Sequence, residues 1–159
     1  MDYFAPVEEV LAWTKLITET REPDLTINDG ERMPYLLRWH LLPKMQAGGA
    51  NIHRILRSDK DVPHDHPWDN TTYVLDGEMI DEALDGTRRL LRPGDIRHRK
   101  AEDAHRLILE PGVVVTTLFF MQERRRDWGF HCPNGWVPWR EFVDPSDEGR
   151  VGRGCGDHG

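Results

Sequence analysis

What this chain lacks narrows the field first. Hydrophobic residues make up 38% of its 159 positions, and no apolar run approaches the roughly 20 residues that a membrane-spanning helix needs. The segment around Asp2, Glu8 and Glu9 lacks the basic-then-apolar order of a secretory signal. A cytoplasmic protein with no membrane partner is therefore expected. Positive charge is scarce as well: 21 Lys and Arg stand against 28 Asp and Glu, for a net charge of −7. A nucleic-acid partner normally requires a basic face, so none is expected, and Arg124-Arg125-Arg126 reads as a solvated turn. Cysteine occurs only twice, as Cys132 and Cys155. Their spacing suits neither a zinc motif nor a disulfide framework, which predicts reduced thiols.

The length fits one domain with a real core. Residues 6–21 begin with Pro6 and set Val7, Val10, Leu11, Trp13, Leu16 and Ile17 mostly along one helical stripe. This helix ends at Glu22-Pro23, because the residue before a proline is pushed out of helical space. Asn28-Asp29-Gly30 reads as a turn. Strands are predicted over 34–42, closed by Pro43, and over 51–57, 71–75, 78–84, 87–91, 96–100 and 113–120. Asp76-Gly77 and Asp85-Gly86 are strong hairpin signals and favour an all-β chain. Beyond Pro145 the Ser, Asp, Glu and Gly content predicts a flexible tail.

The densest chemistry lies in Val62-Pro63-His64-Asp65-His66-Pro67-Trp68-Asp69-Asn70. Side chains alternate along an extended backbone with period two, so His64 and His66 share a face and can share a metal. Neutral imidazole suits iron, nickel, copper and zinc, whereas magnesium and calcium prefer oxygen. A third ligand must come from elsewhere, and His98 competes with His105 for the place. Only His105 starts an apolar alternation, with Leu107 and Leu109 on its face. His40 and His53 are lone strand histidines, expected in ordinary hydrogen-bonded roles.

His64-x-His66, then Gly77, then Pro93-Gly94-Asp95 and a histidine twelve positions after Pro93 together resemble the two-motif pattern of the cupins. The resemblance covers residues 34 to 120 and implies a small antiparallel β-barrel, or jelly roll, holding one metal through His64, His66 and His105. It divides the chain into an N-terminal helix and linker over 1–33, a cupin barrel with C-terminal closure over 34–143, and a tail over 144–159. It also implies a homodimer. Where the common cupin pattern has a Glu four or five residues after the second His, this chain has Asn70 and Thr71. That departure makes the site similar to the three-histidine cupins, of which the thiol dioxygenases are the best-known enzymes. Asp69, one residue early, is a fourth-ligand candidate if a bulge re-aims it. Trp128-Gly129-Phe130 followed by Gly135-Trp136-Val137-Pro138-Trp139 is similar to a run in phage and bacterial cupins of unassigned function. Read from its residues, the aromatic, proline-punctuated segment 127–143 is a lid lying across hydrophobic surface. Its functional reading closes one end of the barrel and brings His131 to the pocket wall.

Three neutral imidazoles leave a divalent metal its full charge and open positions, which favours an anionic co-ligand from substrate. The expectation is an Fe(II) oxygenase acting on a small anionic or thiol-containing metabolite, with Ni, Mn or Zn as alternative metals. An anionic substrate calls for an inward arginine, whose planar fork binds a carboxylate at two points. Arg54 leads on alternation with Ile52 and Leu56, followed by Arg97 and Arg99, with Arg38 and Arg106 behind. Tyr73 and His131 are the candidates for proton transfer. A 2-oxoglutarate oxygenase would want His-x-Asp/Glu, which is absent. Two alternatives stay open: a non-oxidative isomerase, epimerase or lyase using the metal as a Lewis acid, and a ligand-binding barrel without turnover. A purely structural metal is disfavoured, since such sites are usually closed by four protein ligands.

Overall fold

The computed structural model describes residues 5–28, 33–41 and 48–156. The first apolar stripe forms helix α1 (Val7–Thr20), which starts after Pro6. Strands follow at β1 (Leu25–Asn28), β2 (Pro34–His40), β3 (Gly49–Ile55), β4 (Asn70–Asp76), β5 (Met79–Ala83) and β6 (Arg88–Leu91). Next come β7 (Ile96–Arg99), β8 (His105–Ile108) and β9 (Val115–Met121). The chain continues through β10 (Gly129–Cys132), β11 (Gly135–Pro138), the single turn α2 (Trp139–Phe142), β12 (Val143–Asp144) and β13 (Asp147–Val151). The predicted turn at 29–30, the end of the second predicted segment at 42–43, and His158 lie outside the described residues. No helix among the described residues is long and apolar enough to cross a membrane.

Antiparallel pairing orders one sheet as β1-β2-β3-β9-β4-β7 and a second as β6-β5-β8. Single-residue bridges from His64 to His105 and to Phe130 carry the second sheet across to β10, which pairs with β11. The Asp76-Gly77 signal is realised as the β4–β5 hairpin. Gly77 has φ of 78°, and a Cβ there would lie 2.3 Å from the Val114 carbonyl oxygen, so the turn requires glycine on both counts. Between the two sheets Leu36, Ile55, Val74, Met79, Leu91, Leu109 and Val115 form an apolar core. A second core lies on the outer face of the larger sheet, where Trp39, Ile52, Tyr73, Leu75 and Leu118 pack against Val7, Val10, Leu11 and Ile17 of α1.

The C-terminal part departs from the sequence reading twice. Cys132 and Cys155 are joined in a disulfide with a Cα separation of 5.5 Å, where free thiols are expected. The physical reason is long-range: the β12–β13 hairpin turns the chain back onto β10, a proximity that a spacing of 23 residues does not announce. Residues 146–156 likewise have defined structure, because β13 pairs with β12 and its Gly149 is buried against β1. Polar composition resembles disorder here because β13 is a ribbon whose other side chains mostly face solvent.

Gly149 tests that packing. A Cβ at this position would lie 1.5 Å from the Asn28 carbonyl oxygen, so Gly149→Ala must displace β13 from β1. Urea unfolding is expected to show a loss of about 1–3 kcal/mol, the usual cost of overpacking, whereas a flexible tail would accept the change within about 0.5 kcal/mol.

Candidate metal centre

The centre is built by backbone pairing. His64 N donates to the His105 carbonyl at 2.9 Å and His105 N returns a bond to the His64 carbonyl at 3.0 Å, which fixes the start of β8 beside the His64-x-His66 segment. Alternation then turns His66 to the same side. One ligand atom from each of His64, His66 and His105 lies within 4.8 Å of the others, and the ring centroids stand 5.0, 5.0 and 5.1 Å apart. Aromatic rings wall the cluster. Trp68 stacks on His66 at 5.6 Å and meets Phe119 edge-on at 5.5 Å, while Trp128 and Phe130 sit 6.2 and 6.1 Å from His64.

Burial in this apolar setting disfavours the imidazolium form. It pulls His64 down to about 4, with nearby Asp59 pulling the other way and His105 adding to the depression. Burial first, then the neighbouring His64 and His105, holds His66 well below its ordinary value. His64 and His66 are thus neutral at physiological pH, the state a metal requires. His66 Nδ1 is buried without a hydrogen-bond partner among the described residues. Three imidazole nitrogen donors on one wall fit a late first-row divalent metal.

Two carboxylates stand behind the rings. Asp81 Oδ1 lies 2.6 Å from His105 Nδ1, and Asp81 Oδ2 accepts from Arg99 Nη2 at 2.7 Å and from Arg97 Nε at 3.1 Å. Burial opposes ionisation of Asp81, but the His105 hydrogen bond and the Arg99 charge outweigh it and hold the carboxyl well below the usual range. An ionised Asp81 requires the proton on His105 Nδ1, which leaves Nε2 for a metal. Asp59 Oδ2 lies 3.9 Å from His64 Nδ1 and accepts from Leu107 N at 2.6 Å, while its Oδ1 accepts from the Tyr35 hydroxyl. Neither carboxylate is identified by sequence reading. The available signal for Asp81 is its alternation with Met79 on a strand face that buries its apolar residue.

Asp65, between the two ligands, points the opposite way and is 1% exposed. Its Oδ1 accepts from Gly129 N at 2.8 Å and pairs with Arg126 at 3.0 Å; its Oδ2 accepts from His131 Nε2 and Trp136 Nε1, both at 2.9 Å. The basic run is therefore more than a solvated turn. Arg126 also donates to the His66 carbonyl at 3.1 Å, and Arg125 clamps Asp69 and Glu102.

Several sequence candidates lie elsewhere. His131 faces Asp65, on the side of the segment opposite His64 and His66. Tyr73 donates its hydroxyl to the Ala5 carbonyl at 2.9 Å within the core beneath α1. Arg54 also faces α1, donating to Thr18 Oγ1 at 3.2 Å with its guanidinium 5.4 Å from the Trp39 ring. The alternation on β3 is as read, but its sense is reversed: α1 covers the outer face, so Ile52 and Arg54 turn outward and His53 and Ile55 inward. Asp69 accepts from Ala101 N at 2.8 Å and from Arg125, outside the histidine cluster. Arg97 and Arg99 do face inward, onto Asp81. His98 turns to Thr71 Oγ1 at 2.7 Å, His40 to Asn51 Oδ1 at 2.8 Å, and His53 accepts from Arg38 Nε at 2.9 Å.

No family model and no curated protein matches the chain. Solved structures do. The chain is similar to the DMSP lyase DddQ from Ruegeria pomeroyi DSS-3, with a TM-score of 0.60 at 14% identity over 85% of this chain and 73% of that one. It is similar to the polyketide cyclase RemF from Streptomyces resistomycificus, with a TM-score of 0.51 at 21% identity over 58% and 68%. It is also similar to FeII HppE, with a TM-score of 0.51 at 15% identity over 61% and 54%. At these identities the likeness establishes the fold.

Two outcomes follow from the centre. His64→Ala or His105→Ala abolishes stoichiometric metal by plasma mass spectrometry, His98→Ala does not, and Asp81→Asn weakens metal affinity by about 10–100-fold. The metal-free protein loses stability on acidification between His64's ordinary 6.5 and about 4, because the unfolded chain takes up a proton there and the folded one does not. Urea midpoints across that window should fall less steeply in His64→Gln.

Proposed function

We propose that this chain, a cupin by fold, is an Fe(II)-dependent oxygenase acting on a small anionic or thiol-containing metabolite at the face formed by His64, His66 and His105. The observation that carries this reading is the donor set, three imidazoles with no carboxylate among them. Such a set adds no negative charge to a bound divalent ion, so an anionic group of substrate is the natural co-ligand. Bound iron supplies open positions for that group and for dioxygen. The chain's own residues do the rest. Burial keeps His64 and His66 unprotonated, Asp81 orients His105, and Trp68, Trp128 and Phe130 thin the water around the cluster, where electrostatic attraction strengthens as the local dielectric falls. Tyr73 and His131, the sequence candidates for proton transfer, are engaged by Ala5 and Asp65. With both engaged elsewhere, chemistry centred on the metal is favoured over chemistry that needs a side-chain base. The likeness to FeII HppE accords with iron.

A second reading, a non-oxidative lyase or isomerase using the metal as a Lewis acid, draws on the likeness to a DMSP lyase, which spans 85% of the chain. Metal analysis of protein purified without added metal, followed by oxygen-electrode assays with thiols and small carboxylates, separates the two. The oxygenase reading expects stoichiometric iron and iron-dependent oxygen uptake that disappears in His64→Ala. Turnover without oxygen on manganese, nickel or zinc would select the lyase or isomerase.

A further inference from the structure

Beside His105, β5, the β5–β6 turn, β6, β7 and residues 102–105 line an open cleft of about 830 Å³. One wall gathers three arginines around a single aspartate. Arg89 on β6 stands opposite Asp81 on β5 in the strand register, and residues paired in this way project to the same face. Arg97 and Arg99, two apart on β7, reach the same carboxylate. Three guanidinium groups therefore face one Asp81, whose Oδ1 is already taken by His105 and whose Oδ2 is shared by Arg97 and Arg99. Arg89 has no hydrogen-bond or ion-pair partner among the described residues. Arg99 is 2% exposed at its side chain, and its Nε is buried without a partner.

Among the acids around the rim, Glu102 is clamped by Arg125, Asp103 accepts from Lys100 N at 2.8 Å, and Asp85 accepts from Thr87 N at 2.9 Å, so none of them is paired with Arg89. Arg88 is engaged by Glu82, at 2.7 Å. Planar guanidinium forks match the paired oxygens of carboxylate and phosphate.

We propose that this cleft is a binding site for a small oxyanion group, a carboxylate or a phosphate, held by Arg89 and Arg97 with Arg99 behind them. The site adjoins the metal face, because His105 and Arg99 both line the cleft and His105 belongs to the histidine cluster. It does not rest on the oxygenase reading.

The test is isothermal titration of the chelator-treated chain with inorganic phosphate and, in a separate arm, with succinate. Chelation prevents the anion from reporting on a metal instead. Saturable binding at one anion per chain is expected, weakened about tenfold or more in Arg89→Gln and in Arg97→Gln. Arg88→Gln should leave it within twofold of wild type, since that guanidinium is spent on Glu82. Tighter binding of phosphate or of succinate identifies which oxyanion the site takes. Arg89 is exposed, so its variant keeps the fold and remains informative even if Arg97→Gln unfolds. Absence of saturable binding of either anion, or equal weakening in Arg88→Gln and Arg89→Gln, would overturn the proposal. Metal content of Arg89→Gln should match wild type, which keeps this result distinguishable from any failure of the metal-centred reading.

Discussion

The period-two alternation of the segment 64–66 is the constraint on which the rest depends. It sends His64 and His66 to one side and Asp65 to the other, so a single extended stretch presents ligands to the cavity and a buried carboxylate to the C-terminal closure. Asp65 gathers Gly129 N, Arg126, His131 and Trp136. Charge-assisted hydrogen bonds contribute about 1.5–3 kcal/mol each, whereas a buried carboxylate stripped of partners costs several kcal/mol. The hairpin that supplies those partners is thereby tied to the strand that carries the ligands, and Phe130 of that hairpin bridges to His64 itself.

The same logic operates behind His105. A carboxylate 3% exposed is held ionised because His105 and Arg99 outweigh the penalty of burial, with Arg97 pairing to the same oxygen as Arg99. The line Arg99–Asp81–His105 joins β7, β5 and β8, so the orientation of one imidazole is set jointly by both sheets. The barrel interior is accordingly divided. One part is closed by Leu36, Ile55, Val74, Met79, Leu91, Leu109 and Val115. The other is lined by histidine, aromatic rings and a polar network centred on Asp81.

Closure of the C-terminal part is equally cooperative. Phe130 stacks on Phe142 at 3.7 Å, Trp128 stacks on Trp139 at 5.7 Å, and the Cys132–Cys155 disulfide ties the last hairpin to β10. The tryptophan-rich run packs largely on itself, with Val62 and Cys155 added, as a β10–β11 hairpin and a helical turn.

Local features were legible in the residues. The stripe of α1, the Asp76-Gly77 hairpin, the positions of β2 to β7 and of β9, and the shared face of His64 and His66 follow from periodicity and backbone sterics, which act over a few residues. The choice of His105 over His98 was also legible, through its apolar alternation and through its spacing from Pro93. Which face of each strand turns inward was not. Arg54 alternates with its neighbours as read, but only the packing of α1 on the outer face decides that it and Tyr73 belong to that side. Asp81 as the partner of His105, His131 as a partner of Asp65 and the disulfide between Cys132 and Cys155 join residues far apart along the chain. Contacts of that kind are fixed by sheet order and register, which depend on burial summed over the whole domain and leave no local mark.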